Sequence, residues 1–314
     1  MANSIQQVQK SNLDFPWPSL PVTSWEDTYT MLRLWTQIVG KIRLTLSPQI
    51  NHWWQVPLYV TSRGLTTSAI PYGLRNFQIS FDFLDGQLLI ESSDGNTQKI
   101  ALVSGSVAEF YQQVMDKLKA LDIDVQIVTM PQEIEDAIPF DRDRRYMTYD
   151  PEAAKRFWRI LIQAERLMTV FRSRFVGKCS PVHLFWGNLD LAVTRFSGRR
   201  APVHPGGIPN VSDAVMQEAY SHEVSSCGFW AGGGVVAEPV FYAYAYPEPE
   251  GFRDYPVLSP AFYSSDMQEF ILPYEAVRQA DDPDALVLNF FQNTYEAAAN
   301  LADWDRVALE RSRD

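Results

Sequence analysis

Cysteine is nearly absent: Cys179 and Cys227 are the whole complement of 314 residues. Two thiols cannot staple a secreted scaffold, and a chain this long can bury enough core to fold without disulfides or a structural metal. Positive charge is also scarce. Lys and Arg number 27 against 38 Asp and Glu, for a net charge of −11, and that repulsion argues against phosphate backbones and anionic lipid as partners. The most apolar long stretch, Gly228 to Tyr246, is broken by a glycine triplet, Glu238 and Pro239, so it does not read as a membrane span. The first twenty residues have neither the cationic start nor the apolar run of a signal peptide. Histidine is limited to four residues, with no His-Glu-x-x-His or His-x-x-x-His spacing, so neither a metal nor a cofactor is expected. These absences predict a cytoplasmic protein that engages neither nucleic acid nor membrane. Homo-oligomer formation is left open.

Hydrophobic residues make up 46% and charged residues 21%, the balance of a globular domain. After an extended leader, Asp14 to Ser19, Ser24 is set to cap a first helix. Met31, Leu34, Trp35, Ile38, Val39 and Ile42 recur on one helical face. Beyond Ser47-Pro48 the pattern turns to strands. Phe77 to Phe83 alternates apolar and polar residues, and Asp85-Gly86 and Asp94-Gly95 supply hairpin turns between further runs, which predicts an antiparallel meander. A helix is expected near 107–121 and a last short strand at 125–128. Residues 131–150 read as a charged connector. Asp150-Pro151-Glu152 is a helix start, with cap, proline at the first position and an acid in the first turn. Strands are expected at 183–194, 221–230 and 239–246, with an irregular insert at 198–212. Asp282-Pro283-Asp284 opens a closing helix, 285–301.

The second half echoes the first. Ser47 to Thr61 aligns without gaps on Ser180 to Thr194, matching Ser47/Ser180, Pro48/Pro181, Trp53/Trp186, Leu58/Leu191, Val60/Val193 and Thr61/Thr194. The expected fold class is therefore α+β, an internal duplication of a helix–antiparallel sheet–helix unit in two pseudo-equivalent lobes. Residues 1–130 form the first repeat with its leader, 131–150 the connector, and 151–314 the second repeat with an inserted Arg-rich loop. Thr61 and Thr194 should lie on equivalent strands.

Familiar catalytic frames are missing. Val39-Gly40-Lys41 and Val176-Gly177-Lys178 lack the rest of a P-loop, the Gly232 triplet is not followed by a helix start, and Gly-x-Ser-x-Gly is absent. What stands out is Arg195-Phe-Ser-Gly-Arg199-Arg200. Guanidinium forks bind carboxylate or phosphate bidentately, so Arg195, Arg199 and Arg200 are candidates to hold a small anionic ligand, with Trp53, Trp54 and Trp230 as apolar walls. The leading expectation is thus a protein binding a small anionic or aromatic molecule in a cleft between or within the repeats. The alternative is a hydrolase- or transferase-type enzyme, with His183 or His222 as base, Glu223 as orienter or acid, and Cys179 or Cys227 as nucleophile. A scaffold or oligomer-forming protein without chemistry is the third reading.

At Trp35 to Arg43, Asn51-His-Trp-Trp, Phe175 to His183, Thr194 to Pro202 and Ser221-His-Glu-Val224, the chain resembles a bacterial family of uncharacterised proteins, the domain of unknown function numbered five-nine-nine-six. The resemblance extends from about Trp17 to Arg311. It implies a stand-alone bacterial protein and carries over no catalytic residue.

Overall fold

The computed structural model describes residues 16–233, 236 and 238–311. Asp14 and Phe15 of the leader, and Gly234 of the glycine triplet, lie outside them. The first helix, α1 (Glu26–Leu46), begins later than Ser24; that hydroxyl instead donates to Pro21 O in a short 3-10 turn. A first antiparallel sheet follows, made of β1 (Tyr59–Val60), β2 (Gly64–Thr66), β3 (Ile70–Tyr72), β4 (Arg75–Asp82), β5 (Gln87–Ser92) and β6 (Thr97–Ala101). Its order is β1-β2-β4-β5-β6, with β3 also pairing with β4. Ser106 and Glu109 form a reciprocal capping box at the start of α2 (Val107–Lys119). Trp35 of α1 stacks on Phe110 of α2, with ring centroids 4.6 Å apart. Residues 125–128 are not a strand.

The second half opens with α3 (Pro151–Ser173), capped by the Asp150 side chain as its sequence requires. Its sheet contains β7 (His183–Phe185), β8 (Asp190–Arg200), β9 (His222–Trp230), β10 (Val240–Tyr246), β11 (Phe262–Ser264) and β12 (Glu269–Pro273), ordered β11-β12-β10-β9-β8-β7. Between β8 and β9 lies α4 (Asp213–Ala219), and α5 (Tyr274–Gln279), α6 (Pro283–Leu301) and α7 (Arg306–Leu309) complete the chain. The insert is thus shorter than 198–212, because β8 continues to Arg200. The strands β11 and β12 and the helix α4 were not anticipated, being short and weakly periodic.

The protein is α+β, with seven helices and two antiparallel sheets among the described residues. One continuous apolar core spans both halves. The sheets meet where Leu58 and Leu184 exchange backbone hydrogen bonds of 2.9 and 2.8 Å. The gap-free alignment does not map onto the strands. Thr61 follows β1, the first strand of its sheet, whereas Thr194 lies inside β8, the second strand of the other. Trp53 and Trp54 sit in a 3-10 turn, not on a strand.

Candidate functional site

On β8, Leu191, Val193 and Arg195 point to the core under α3 and α6, so alternation sends Asp190, Ala192, Thr194 and Phe196 to the opposite face. That face fronts a cavity of about 300 Å³. Two registered rows floor it. In the first, Ala192 pairs with Gly228 and Gly228 with Tyr242. A Cβ at Gly228 would overlap the Tyr242 ring and Leu191 O. Its absence lets Tyr242 lie across β9 and donate its hydroxyl to Asp190 on β8 at 2.9 Å. In the second row Thr194, Ser226 and Tyr244 stand side by side. Thr194 and Ser226 hydroxyls are 2.9 Å apart, and Tyr244 meets the Tyr220 hydroxyl at 2.7 Å.

The roof comes from elsewhere in the chain. Val215, Met216 and Ala219 of α4, and Ile208 and Val211 before it, close one side. His52, Trp53 and Trp54 close another. His52 fixes the lid: its Nδ1 lies 3.0 Å from Ala219 O and 3.2 Å from Glu218 O, the terminal carbonyls of α4. Those partners only accept, so Nδ1 carries the proton and Nε2 accepts from Lys178 Nζ at 2.6 Å. Burial, then the Lys178 charge, lowers the His52 pKa despite its carbonyl contacts, and the ring is neutral. His52 and Trp53 are consecutive residues in the left-handed region, at φ 59° and 61°. Each such residue costs on the order of 1–3 kcal/mol unless its surroundings enforce it.

The third wall is Gln132-Glu133 of the connector. A polar stripe on α1 holds it. Arg33, Gln37 and Lys41, each four residues apart, donate to Glu133 O at 2.9 Å, Gln132 O at 3.0 Å and Met130 O at 2.7 Å. Gly187 leaves room for the Glu133 carboxylate, which a Cβ there would displace. That carboxylate accepts from Asn188 Nδ2 at 2.6 Å, and Glu133 also adopts a positive φ of 60°. Gly40 on the same helix leaves space for Trp186, so the paired Val-Gly-Lys segments serve packing here.

Burial pushes the Glu133 carboxyl up to about 7, with the Asp190 charge adding to it against the Arg33 charge. Burial also pushes Asp190 up to about 6, although the Tyr242 hydroxyl holds it back. Glu269 on β12 rises to about 7 for the same reason, with Asp190 adding. His183, at 1% exposure, is driven down to about 3 by burial and then by the Arg43 charge. Its Nδ1 has no hydrogen-bond partner among the described residues. Of these groups Glu133, Asp190 and His183 line the cavity together with Tyr242 and Tyr244, while Glu269 lies outside its lining; perturbed carboxyls and imidazole side by side are the kind of combination found at functional sites.

Of the residues singled out in the sequence, His183, Trp53 and Trp54 line this cavity. The others lie elsewhere. Arg195 is buried behind β8, its guanidinium 3.4 Å from the Phe171 ring centre and 4.4 Å from that of Tyr295, donating to Phe171 O. Arg199 pairs with Glu223 at 2.7 Å and also donates to Ala302 O, so guanidinium and carboxylate neutralise each other. Arg200 ends β8 in exposed backbone opposite His222. His222 approaches His52, with ring centroids 5.8 Å apart, but does not line the cavity, and neither does Trp230. Burial raises the Cys179 thiol to about 11 and Cys227 further still, the opposite of an activated nucleophile. No group of three His, Cys, Asp or Glu among the described residues is arranged as a metal would need. Sequence reasoning passed over Asp190, Glu133, Tyr242, Tyr244, Thr194, Ser226 and His52. The available signals were the polar stripe on α1 and polar residues recurring every second position on strands otherwise buried on both faces.

A family model matches residues 17–311. The chain belongs to the family of unknown function DUF5996. No curated protein and no solved structure matches it. No helix among the described residues of this DUF5996 member is long and apolar enough to cross a membrane.

Proposed function

We propose that this protein binds a compact small molecule with an aromatic or otherwise apolar body in the cavity on the front of the second sheet. The observation that carries the reading is the cavity itself: about 300 Å³, at the lower end of small-molecule sites, with aromatic walls and a few converging polar groups. Strained backbone at His52, Trp53 and Glu133, all lining it, adds support, since such strain persists where a site needs it. An anionic ligand has no support in this cavity, because its wall carries carboxyls, Arg195 and Arg199 are engaged elsewhere and Arg200 does not line it. A second reading, an acid–base enzyme, is favoured by Glu133 and Asp190 titrating near neutrality in one cavity. We also propose that the halves arose by duplication, since each opens with a long helix, builds a six-stranded antiparallel sheet and closes with helix, the second half adding α4 between β8 and β9 and α5 and α7 around α6. Their first strands meet antiparallel at Leu58 and Leu184.

Indole, a neutral aromatic probe, tests the binding reading. It should raise the melting temperature of the wild type in proportion to its concentration. Ala192→Phe, which fills the floor of the cavity, should melt normally and not respond. Equal responses from both proteins, or none from the wild type, would refute the assignment.

A further inference from the structure

The charges around the cavity do not balance. Asp190, Glu133 and Glu269 interact electrostatically with one another through Asp190, and no ion pair among the described residues engages any of the three. The side-chain donors they receive are neutral: the Tyr242 hydroxyl on Asp190 and the Asn188 amide on Glu133. A carboxylate offers about four lone-pair sites, so Asp190 and Glu133, the two that line the cavity, retain acceptor capacity toward it. The nearest cation, Arg33, spends its bonds on the carbonyls of Gly187 and Glu133. His183, 99% buried by its 1% exposure and lining the same cavity, keeps an unpartnered Nδ1. Trp53, on the facing wall, keeps an unpartnered Nε1.

Burying uncompensated carboxylates is costly, and the cost is removed when a charge of opposite sign enters with its own N–H donors. Aromatic faces attract the same kind of ligand through their quadrupoles, and Trp53, Trp54, Tyr242 and Tyr244 supply those faces. We infer that the ligand is a primary or secondary amine, bound protonated, with its ammonium against Asp190 and Glu133 and its apolar body among the tryptophans and tyrosines. This rests on the cavity being a ligand site. The amine supplies the positive charge that the chain withholds, and it supplies the N–H groups that both carboxylates can accept.

The charged and titratable neighbours set the pH dependence. Asp190 is faced by Glu133 from the connector, Tyr29 from α1, Tyr242 from β10, Glu269 from β12 and Tyr220 just after α4, and Arg33 from α1 faces Glu133. Burial raises the tyrosines further above their ordinary value, so across pH 5–8 the carboxyls are the groups of this cluster that change state. Amine binding should therefore strengthen as pH rises from 5 to 8.

Calorimetric titration with three probes that share an indole body, tryptamine, its isostere tryptophol and the acid indole-3-propionate, separates the possibilities. At pH 8 the amine should bind at least tenfold more tightly than the alcohol, and the carboxylate should bind weakest. Lowering the pH to 5 should remove the amine's advantage and leave the alcohol unchanged. Asp190→Asn, which keeps an acceptor for Tyr242, should erase the amine preference, and Glu133→Gln should reduce it. Equal binding of amine and alcohol, or preference for the carboxylate, would overturn the amine assignment while leaving the cavity reading intact. Failure of all three probes and of indole would remove both. The wild-type series decides even if neither variant folds.

Discussion

The two sheets of this protein are built from the same number of strands and treat their second faces differently. In the first, β4, β5 and β6 alternate buried with exposed or half-exposed residues, so one face packs on the helices and the other is wet. In the second, β9 is buried from Val224 to Phe229 without alternation, although Ser225 and Ser226 are among those residues. The back of this sheet is packed by α3 and α6, and its front is covered by the lid, the connector and the turn at His52. A sheet covered tightly on one side and loosely on the other encloses a cavity. Polar residues buried on the loose side are then available to a ligand and cost stability when none is bound.

Replacing Arg195 gives the largest effect with which to break that comparison. It shares β8 with Thr194 but faces the packed side, its cation enclosed by Phe171, Phe175 and Tyr295. Arg195→Ala should lower stability by roughly 3–5 kcal/mol in urea unfolding, through lost packing and cation–π contact. The surviving folded protein should bind indole normally. A stable variant with impaired binding would put Arg195 at the ligand instead.

Gly228→Ala should have an intermediate effect. The new methyl meets the Tyr242 ring on the cavity side and Leu191 O in the neighbouring strand, so overpacking should cost about 1–3 kcal/mol and push Tyr242 off Asp190. Tryptamine affinity should change along with stability. Unaltered melting and affinity would mean that Tyr242 does not depend on this glycine. On the wet face of the first sheet, exposed Lys99 makes the control. Lys99→Ala should shift stability by no more than about 0.5 kcal/mol and leave binding untouched. A larger shift in either would show that this face is not free.

Much of this architecture was legible. The Asp85-Gly86 and Asp94-Gly95 turns, the clean alternation of β4 and the Asp-Pro starts of α3 and α6 are local signals, and they lie where the residues indicate. The site was less legible, because its members are brought together by long-range packing. Glu133 looked like one charge in a charged connector, and it is the α1 stripe 89 to 100 residues away that holds its backbone inward. Asp190 falls inside the expected strand 183–194, where nothing local marks it out; it is Gly228, on the neighbouring strand, that admits Tyr242 to it. The Arg-rich segment offered two readings, an anion site or pairing with the chain's own acceptors, and the geometry favours the second for Arg195 and Arg199. Scarce cations in an acidic chain find the chain's own acceptors first, as Arg199 finds Glu223. The expected residue pairing between the halves rested on matching letters and does not map onto the strands; the two sheets meet at Leu58 and Leu184 instead.

The central claim is that the front of the second sheet holds carboxyls at an energetic cost. Their pKa values, about 6 for Asp190 and about 7 for Glu133, lie above the ordinary carboxylate value near 4. The folded state therefore binds their protons more tightly than the unfolded state. Their contribution is most favourable below about pH 4 and is lost as pH rises through 6 and 7. The direct measurement is the unfolding free energy of wild type and of the double variant Asp190→Asn, Glu133→Gln, by urea titration from pH 4 to pH 8 without ligand. At about 1.4 kcal/mol per pKa unit, the two curves should start close together at pH 4 and diverge, leaving the variant more stable by on the order of 6 kcal/mol at pH 8. Curves that stay parallel across that range would contradict the account.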